Sequence, residues 1–261
     1  MDCVLYEKRG GAAWLTINRP EKLNSLTEEV GARIIELLEI AGDDSEVHAV
    51  VFTGAGKAFS AGGDLLRFQH LVGDELAEFF EHLCSGGDRL FFGVERFPKP
   101  TIAAVNGTTA AGGLELILCC DLIFAAEHAK IGECHSNFAL VPGAGGTIRL
   151  PRRVGLSRAN DLLFTGRLAP ASEMKEWGLI NDVVPLEQLQ ATVDRYVEMI
   201  ASKSPLCLAN IKRATPFAFD VPLEAAIAEE RKIVLENVRS DDLREGLAAF
   251  NEKRPPRYTG R

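Results

Sequence analysis

The chain has no run of eighteen apolar residues, so no segment is expected to cross a membrane as a helix. Its first twenty residues alternate like a strand and lack a continuous apolar stretch behind a basic start, so no export signal is expected. Basic residues are the minority, 29 Lys and Arg against 37 Asp and Glu, and the formal net charge is −8. Duplex binding needs a basic surface, so nucleic acid is not an expected partner. A local basic pocket for a phosphorylated ligand stays compatible with that sum. None of the six cysteines (Cys3, Cys84, Cys119, Cys120, Cys134, Cys207) falls in a C-x-x-C pair, and the five histidines are not at zinc-ligand spacing. They read as reduced core thiols in a cytoplasmic-type compartment, with no metal centre. Low-complexity segments and strict repeats are absent. So are the Gly-Lys-Ser/Thr ending of a phosphate loop and the G-x-G-x-x-G of a dinucleotide site.

What remains is a globular chain of 261 residues, 46% hydrophobic and 25% charged. That length suits one large domain, or one domain with an appendage. Residues 4–6 and 12–18 read as a hairpin turning at Gly10-Gly11. Thr27 reads as a helix N-cap, with Glu28 and Glu29 in the first turn. Val30, Ile34, Leu37, Leu38 and Ala41 follow at helical spacing. Short apolar strands are expected at 49–53, 101–105 and 122–125. The stretch 66–97, with Phe79, Phe80, Leu83, Leu90 and Phe91 among charges, reads as helical and suited to wall a pocket. Beyond residue 200 no strand signal remains, and 205–211, 223–235 and 243–250 read as helices before a basic tail. The expected division is an α/β core over 1–200 and a helical region over 201–261.

Three glycine-rich segments follow this strand pattern. Ala58-Phe59-Ser60-Ala61-Gly62-Gly63-Asp64-Leu65 is either a tight loop capped by Asp64 or a turn whose backbone N–H groups face a negative oxygen. In the second, Gly112-Gly113 opens a helix whose N-terminus favours an anion, and Glu115 sits in its first turn before an apolar run. Glu115 is therefore either a cap or a desolvated acid/base. The third, Val141-Pro142-Gly143-Ala144-Gly145-Gly146-Thr147, reads as a turn entering a helix.

Taken together, the segments at 58–65, 106–125 and 140–155, with Phe164–Arg167, Trp177–Pro185 and Gly246–Arg257, resemble the crotonase (enoyl-CoA hydratase/isomerase) family in order and spacing along nearly the whole chain. The resemblance implies an α/β spiral of ββα turns with a C-terminal helical region that builds trimers, often paired into hexamers. It implies an acyl-CoA thioester as substrate, with no resident cofactor. By matched position, the N–H groups of Gly63 and Gly112 would form the two halves of an oxyanion hole. Ala61, Gly62, Asp64 and Leu65 would lie along the bound CoA or acyl group. Phe250 and Lys253 would lie where a neighbouring subunit's last helix touches the CoA.

Hydratases of that family use two glutamates. Glu115 matches the first. The second, seven residues before Pro142, is His135 here, so an imidazole of ordinary pKa ~6.5 stands for a carboxylate. Glu133, two residues earlier, would share its side if the segment were a strand. The leading expectation is a lyase adding water across an enoyl-CoA, with Glu115 and His135 sharing the proton transfers. Hydrolytic or retro-Claisen cleavage of a β-keto acyl-CoA, with His135 activating water, is the alternative. A catalytically silent acyl-CoA-binding protein is a third, of another class.

Overall fold

The computed structural model describes residues 2–261. Its first elements are the antiparallel hairpin β1 (Val4–Arg9) and β2 (Ala12–Ile17), then α1 (Glu28–Asp43). Thr27 Oγ1 accepts the Val30 N–H at 3.4 Å, so the expected N-cap is present. The chain then repeats a strand–strand–helix unit. The first unit is β3 (Ala49–Gly54), β4 (Ala58–Ser60) and α2 (Gly73–Glu95). The second is β5 (Thr101–Val105), β6 (Thr108–Ala110) and α3 (Gly112–Leu118). The third is β7 (Leu122–Ala126), β8 (Lys130–Gly132), a 3-10 turn at His135–Phe138, then α4 (Gly146–Val154) and α5 (Leu156–Thr165).

The first strand of each unit joins one sheet and the second strand joins another. The large sheet runs β1-β2-β3-β5-β7 and ends on β10 (Asp182–Val184), reached through β9 (Ala169–Pro170) and α6 (Ala171–Glu176). The small sheet runs β4-β6-β8-β9. Its first three strands are parallel, so their C-terminal ends emerge side by side. Each of those ends carries a segment singled out in the sequence.

Both faces of the large sheet are covered. Leu15, Val50, Phe52, Ala103 and Ile123 point into the main core with α1 and part of α2. Their neighbours Trp14, Val51, Ile102 and Phe124 point the other way. Such two-sided burial explains why these strands read as continuous apolar runs rather than alternating ones. The second face is covered by α7 (Leu186–Ala201), through Leu189, Val193 and Val197 at a spacing of four. Truncating one of these leucine or valine contacts costs on the order of 2 kcal/mol or more.

The change in pattern near residue 200 coincides with the end of α7. Beyond it come α8 (Pro205–Ala214), α9 (Phe217–Asp220), α10 (Leu223–Asn237) and α11 (Asp241–Glu252). The four-residue α9 has no counterpart in the sequence reading. Lys212 ties α8 to the sheet, 2.7 Å from Asp121 Oδ2. The tail folds back onto α11, where buried Asp242 accepts Ser204 Oγ at 2.6 Å and the Thr259 N–H at 2.7 Å.

Candidate active site

The three parallel ends of β4, β6 and β8 open on one cavity of about 620 Å³. Its walls are mainly apolar. From α1 come Gly31, Ala32 and Ile35, and from α2 come Phe80, Leu83, Leu90 and Phe91. Phe68 lines it as well and meets Phe80 edge-on, ring centres 4.9 Å apart. The expectation that 66–97 walls a pocket thus corresponds to α2 and the turn before it. Its polar lining comprises Thr27, Glu28 and Arg89 on the α1 and α2 side, and Glu115, His135 and the backbone around Gly63 and Gly112 at the strand ends.

The floor is shaped by the β4 exit. Ala61 N–H bonds Leu23 O at 2.9 Å, and Leu26 N–H bonds Gly62 O at 2.8 Å. Gly62 has φ +89°, and this left-handed turn separates those bonded groups from Gly63. A Cβ on Gly62 would also lie 2.9 Å from the Gly112 nitrogen. Glycine is thus required by conformation and by the close approach of the two segments. On the β6 side, Ala111 adopts φ 49°, ψ −120°, a sparsely populated conformation that costs about 1–3 kcal/mol in a non-glycine residue. It turns the chain into α3. Among the described residues neither the Gly63 nor the Gly112 N–H has a protein acceptor. The Gly63 nitrogen lies 3.7 Å from the position a Gly112 Cβ would take, so the two donors are neighbours.

Glu115 is not a helix cap. It is 3% exposed, and its Oε1 accepts two N–H groups of the third glycine-rich segment, Ala144 and Gly146, each at 2.9 Å. Its Oε2 has no partner among the described residues. Burial raises its pKa; the Gly146 N–H and the His135 charge oppose that rise, and Glu133 adds to it. The receiving loop is braced in turn. Arg149 donates to Ala144 O at 2.8 Å and to both oxygens of Glu95 at the end of α2, at 3.0 and 2.7 Å.

His135 is half-buried, with Nδ1 2.6 Å from Glu133 Oε2. Glu133 is reached by a turn rather than by strand alternation. β8 ends at Gly132, Cys134 takes a left-handed φ of 52°, and the His135 N–H bonds back to Glu133 O. Burial alone would lower the His135 pKa. The hydrogen bond and charge of Glu133, with the charge of Glu115, outweigh it and leave the pKa raised.

Of the residues expected from the sequence, Ala61, Gly63, Leu65, Gly112, Glu115 and His135 line this one cavity. Gly62 lies behind it. Asp64 is outside the lining, its carboxylate 3.8 Å from the Arg19 guanidinium, and it makes no cap bond to the turn it precedes. Phe250, on α11, and Lys253, just after it, are exposed and do not line the cavity. The sequence reading missed Ala144, Gly146, Arg149 and Glu95. The third glycine-rich segment was a usable signal for the first two, since close-packed glycine backbone is well suited to meet a buried carboxylate.

The cavity thus brings together two adjacent N–H groups without an acceptor, a buried carboxyl and an imidazole. The chain belongs to the enoyl-CoA hydratase/isomerase family, whose model matches residues 7–261. It is 36% identical to a crotonyl-CoA hydratase of Syntrophomonas wolfei over 98% of this chain and 97% of that one. It is 34% identical to the 2,3-dehydroadipyl-CoA hydratase of Escherichia coli over the full length of both. The crystal structure of an enoyl-CoA hydratase from Bacillus anthracis superposes with a TM-score of 0.93 at 35% identity, covering 99% of this chain and 100% of that one. The protein is a hydratase-type acyl-CoA enzyme.

Proposed function

We propose that this enzyme adds water across the α,β double bond of an enoyl-CoA, using Gly63, Gly112, Glu115 and His135. The observation that carries this reading is the pair of acceptor-less N–H groups on Gly63 and Gly112, beside Glu115 and His135 at the floor of one apolar cavity. The thioester oxygen sits between the two N–H groups. When water attacks the β-carbon, charge moves onto that oxygen as an enolate, and each fixed donor is worth about 3 kcal/mol to that state. Neutral His135 takes the proton from water, and protonated Glu115 delivers one to the α-carbon. Burial raises the pKa of Glu115 and so favours the protonated form the donor role needs; Glu133 raises that of His135 and favours the imidazolium, so the competent state is the one in which the pair holds a single proton, on Glu115. Ala61 and Leu65 line the path of the ligand, with Gly62 and Asp64 supporting that turn. No cofactor enters the scheme, because the CoA thioester itself carries the activation.

The active assembly is a homo-oligomer, a trimer or a pair of trimers built through 201–261. Leu223, Leu247 and Phe250 leave apolar surface exposed on α10 and α11, with Phe250 81% exposed. Phe250 and Lys253 of one subunit then meet the CoA held by the next. No helix among the described residues is long and apolar enough to cross a membrane, and the six free cysteines fit a reducing compartment such as the cytoplasm.

One observation favours a second reading. The carboxylate-bound imidazole of His135 is also suited to activate water against a carbonyl, which would cleave a β-keto acyl-CoA. An acyl-CoA panel decides. Loss of the enoyl thioester absorbance with crotonyl-CoA and no thiol release supports hydration. Release of a carboxylate from a β-keto thioester, with no hydration, supports cleavage. Binding without turnover of either would leave a silent acyl-CoA-binding protein.

A further inference from the structure

Glu133 takes no part in the proton transfers above, yet it is 1% exposed and lies against both residues that do. Its Oε2 meets His135 Nδ1 at 2.6 Å. Its Oε1 is buried and has no hydrogen-bond partner among the described residues. That oxygen lies 2.5 Å from the position a Gly146 Cβ would occupy, and Glu115 Oε1 lies 3.2 Å from the same point. One side-chain atom each of Glu115, Glu133 and His135 falls within 4.8 Å of the others. A carboxylate this buried is costly unless it is hydrogen-bonded, and among the described residues its one side-chain partner is the His135 ring.

We infer that Glu133 is a positioning residue: it accepts the Nδ1–H of His135, fixes that tautomer, and leaves Nε2 facing the cavity as the nitrogen that exchanges the proton with water. A neutral imidazole carries one proton on one of two nitrogens, and the partner of one nitrogen selects the role of the other. The Nε2 of His135 makes no hydrogen bond among the described residues, and His135 lines the cavity. The local backbone serves this contact, since the left-handed Cys134 and the short bond from His135 N–H to Glu133 O hold the two side chains on one side of the turn. The inference rests on His135 being a proton-transfer residue.

Its electrostatic consequence is specific. The charged groups acting on His135 are Glu133 and Glu115; those acting on Glu115 are His135, Glu133 and the Arg149 guanidinium, with the Cys84 and Cys119 thiols nearby. The negative charge of Glu133 raises both pKa values. Hydration needs the Glu115–His135 pair to hold one proton, so activity is bell-shaped: it falls at low pH when a second proton binds and at high pH when the last one leaves. Removing the Glu133 charge lowers both affinities and moves both limbs toward acid.

The test measures kcat against pH for the wild type, Glu133→Gln and Glu133→Asp, with imidazole ¹⁵N chemical shifts of His135 in each. For Glu133→Gln the expected result is about a 10- to 100-fold lower maximum, both limbs displaced to lower pH, and loss of the pure Nδ1–H signature. Glu133→Asp keeps the charge and should recover part of the tautomer preference. A Glu133→Gln protein whose limbs and ¹⁵N shifts match the wild type overturns the inference even if its rate is lower, because a packing role would move neither. So does a wild-type spectrum showing the Nε2–H tautomer above the His135 titration, which needs no variant to fold. His135→Ala distinguishes this failure from that of the parent reading: if it turns over like wild type, His135 moves no proton and the proposal about the reaction falls first.

Discussion

Replacing Gly146 with alanine perturbs the site through one methyl group. Gly146 is the first residue of α4 and is buried, and its N–H bonds Glu115 Oε1 at 2.9 Å. A Cβ there would lie 2.5 Å from Glu133 Oε1, 3.1 Å from Pro142 Cβ and 3.2 Å from Glu115 Oε1. Non-bonded carbon and oxygen do not settle closer than about 3 Å, so the Glu133 carboxylate must retreat by about 0.5 Å or more. Its other oxygen is bonded to His135, so the imidazole moves with it. The substituted backbone is not itself strained, because Gly146 has no positive φ. Alanine also favours a helix over glycine by up to about 1 kcal/mol, which offsets part of the steric cost to folding. The expected outcome is a folded protein with a Tm within a few degrees of wild type and a loss of about 10²-fold in kcat, since misplacement on the ångström scale costs that much in positioned catalysis. KM should change little, because the apolar walls and the Gly63 and Gly112 donors are untouched. The assay is steady-state hydration of crotonyl-CoA, with a crystal structure of the variant. Wild-type kcat with both carboxylates unmoved would refute the packing argument.

Glu115→Gln keeps both loop N–H bonds but cannot exchange a proton, so hydration should fall by roughly 10²–10⁴-fold; wild-type turnover would make Glu115 structural. The same variant should be more stable in alkaline solution. The folded pKa of Glu115 is raised above the ordinary glutamate value of 4.5, so its contribution to stability is present below that value and lost as pH rises through the folded one. The Tm difference between variant and wild type, scanned from acid to alkaline pH, should grow with pH; a constant difference contradicts the raised pKa. Gly63→Pro and Gly112→Pro each delete one N–H donor and should cost on the order of 10²-fold in turnover, with acyl-CoA binding less affected. A folded, fully active Gly112→Pro protein would remove the oxyanion assignment. Light scattering at micromolar concentration should give a multiple of the 28.4 kDa chain mass, and a monomer would contradict the role proposed for 201–261.

How much of this was legible beforehand follows from element length. β2, β3, β5 and β7 are five- or six-residue apolar strands, long enough to stand out, and the Thr27 cap stood out by residue type. β4, β6 and β8 have three residues each, too few for any period; the first two lie inside the glycine-rich segments, and the third carries no signal of its own. Yet their parallel pairing is what brings Gly63, Gly112 and His135 together. The glycine-rich segments were visible as places of close backbone approach, but not which segment would receive the Glu115 carboxylate. Glu133 shares a side with His135 as strand alternation would have it, but through a left-handed Cys134 rather than through a strand. The brace from Arg149 to Glu95 spans 54 positions and has no local signature in the chain.

In the proposed mechanism His135 works with Glu115 as a proton-transfer pair on an enoyl thioester. Hydration of crotonyl-CoA by His135→Ala and His135→Glu, measured side by side, tests it most directly. His135→Ala should lose activity by about 10²-fold or more, whereas His135→Glu, with two carboxyl groups lining the cavity, should keep or gain hydration. Wild-type rates in both variants would contradict it, for the imidazole would then be a spacer.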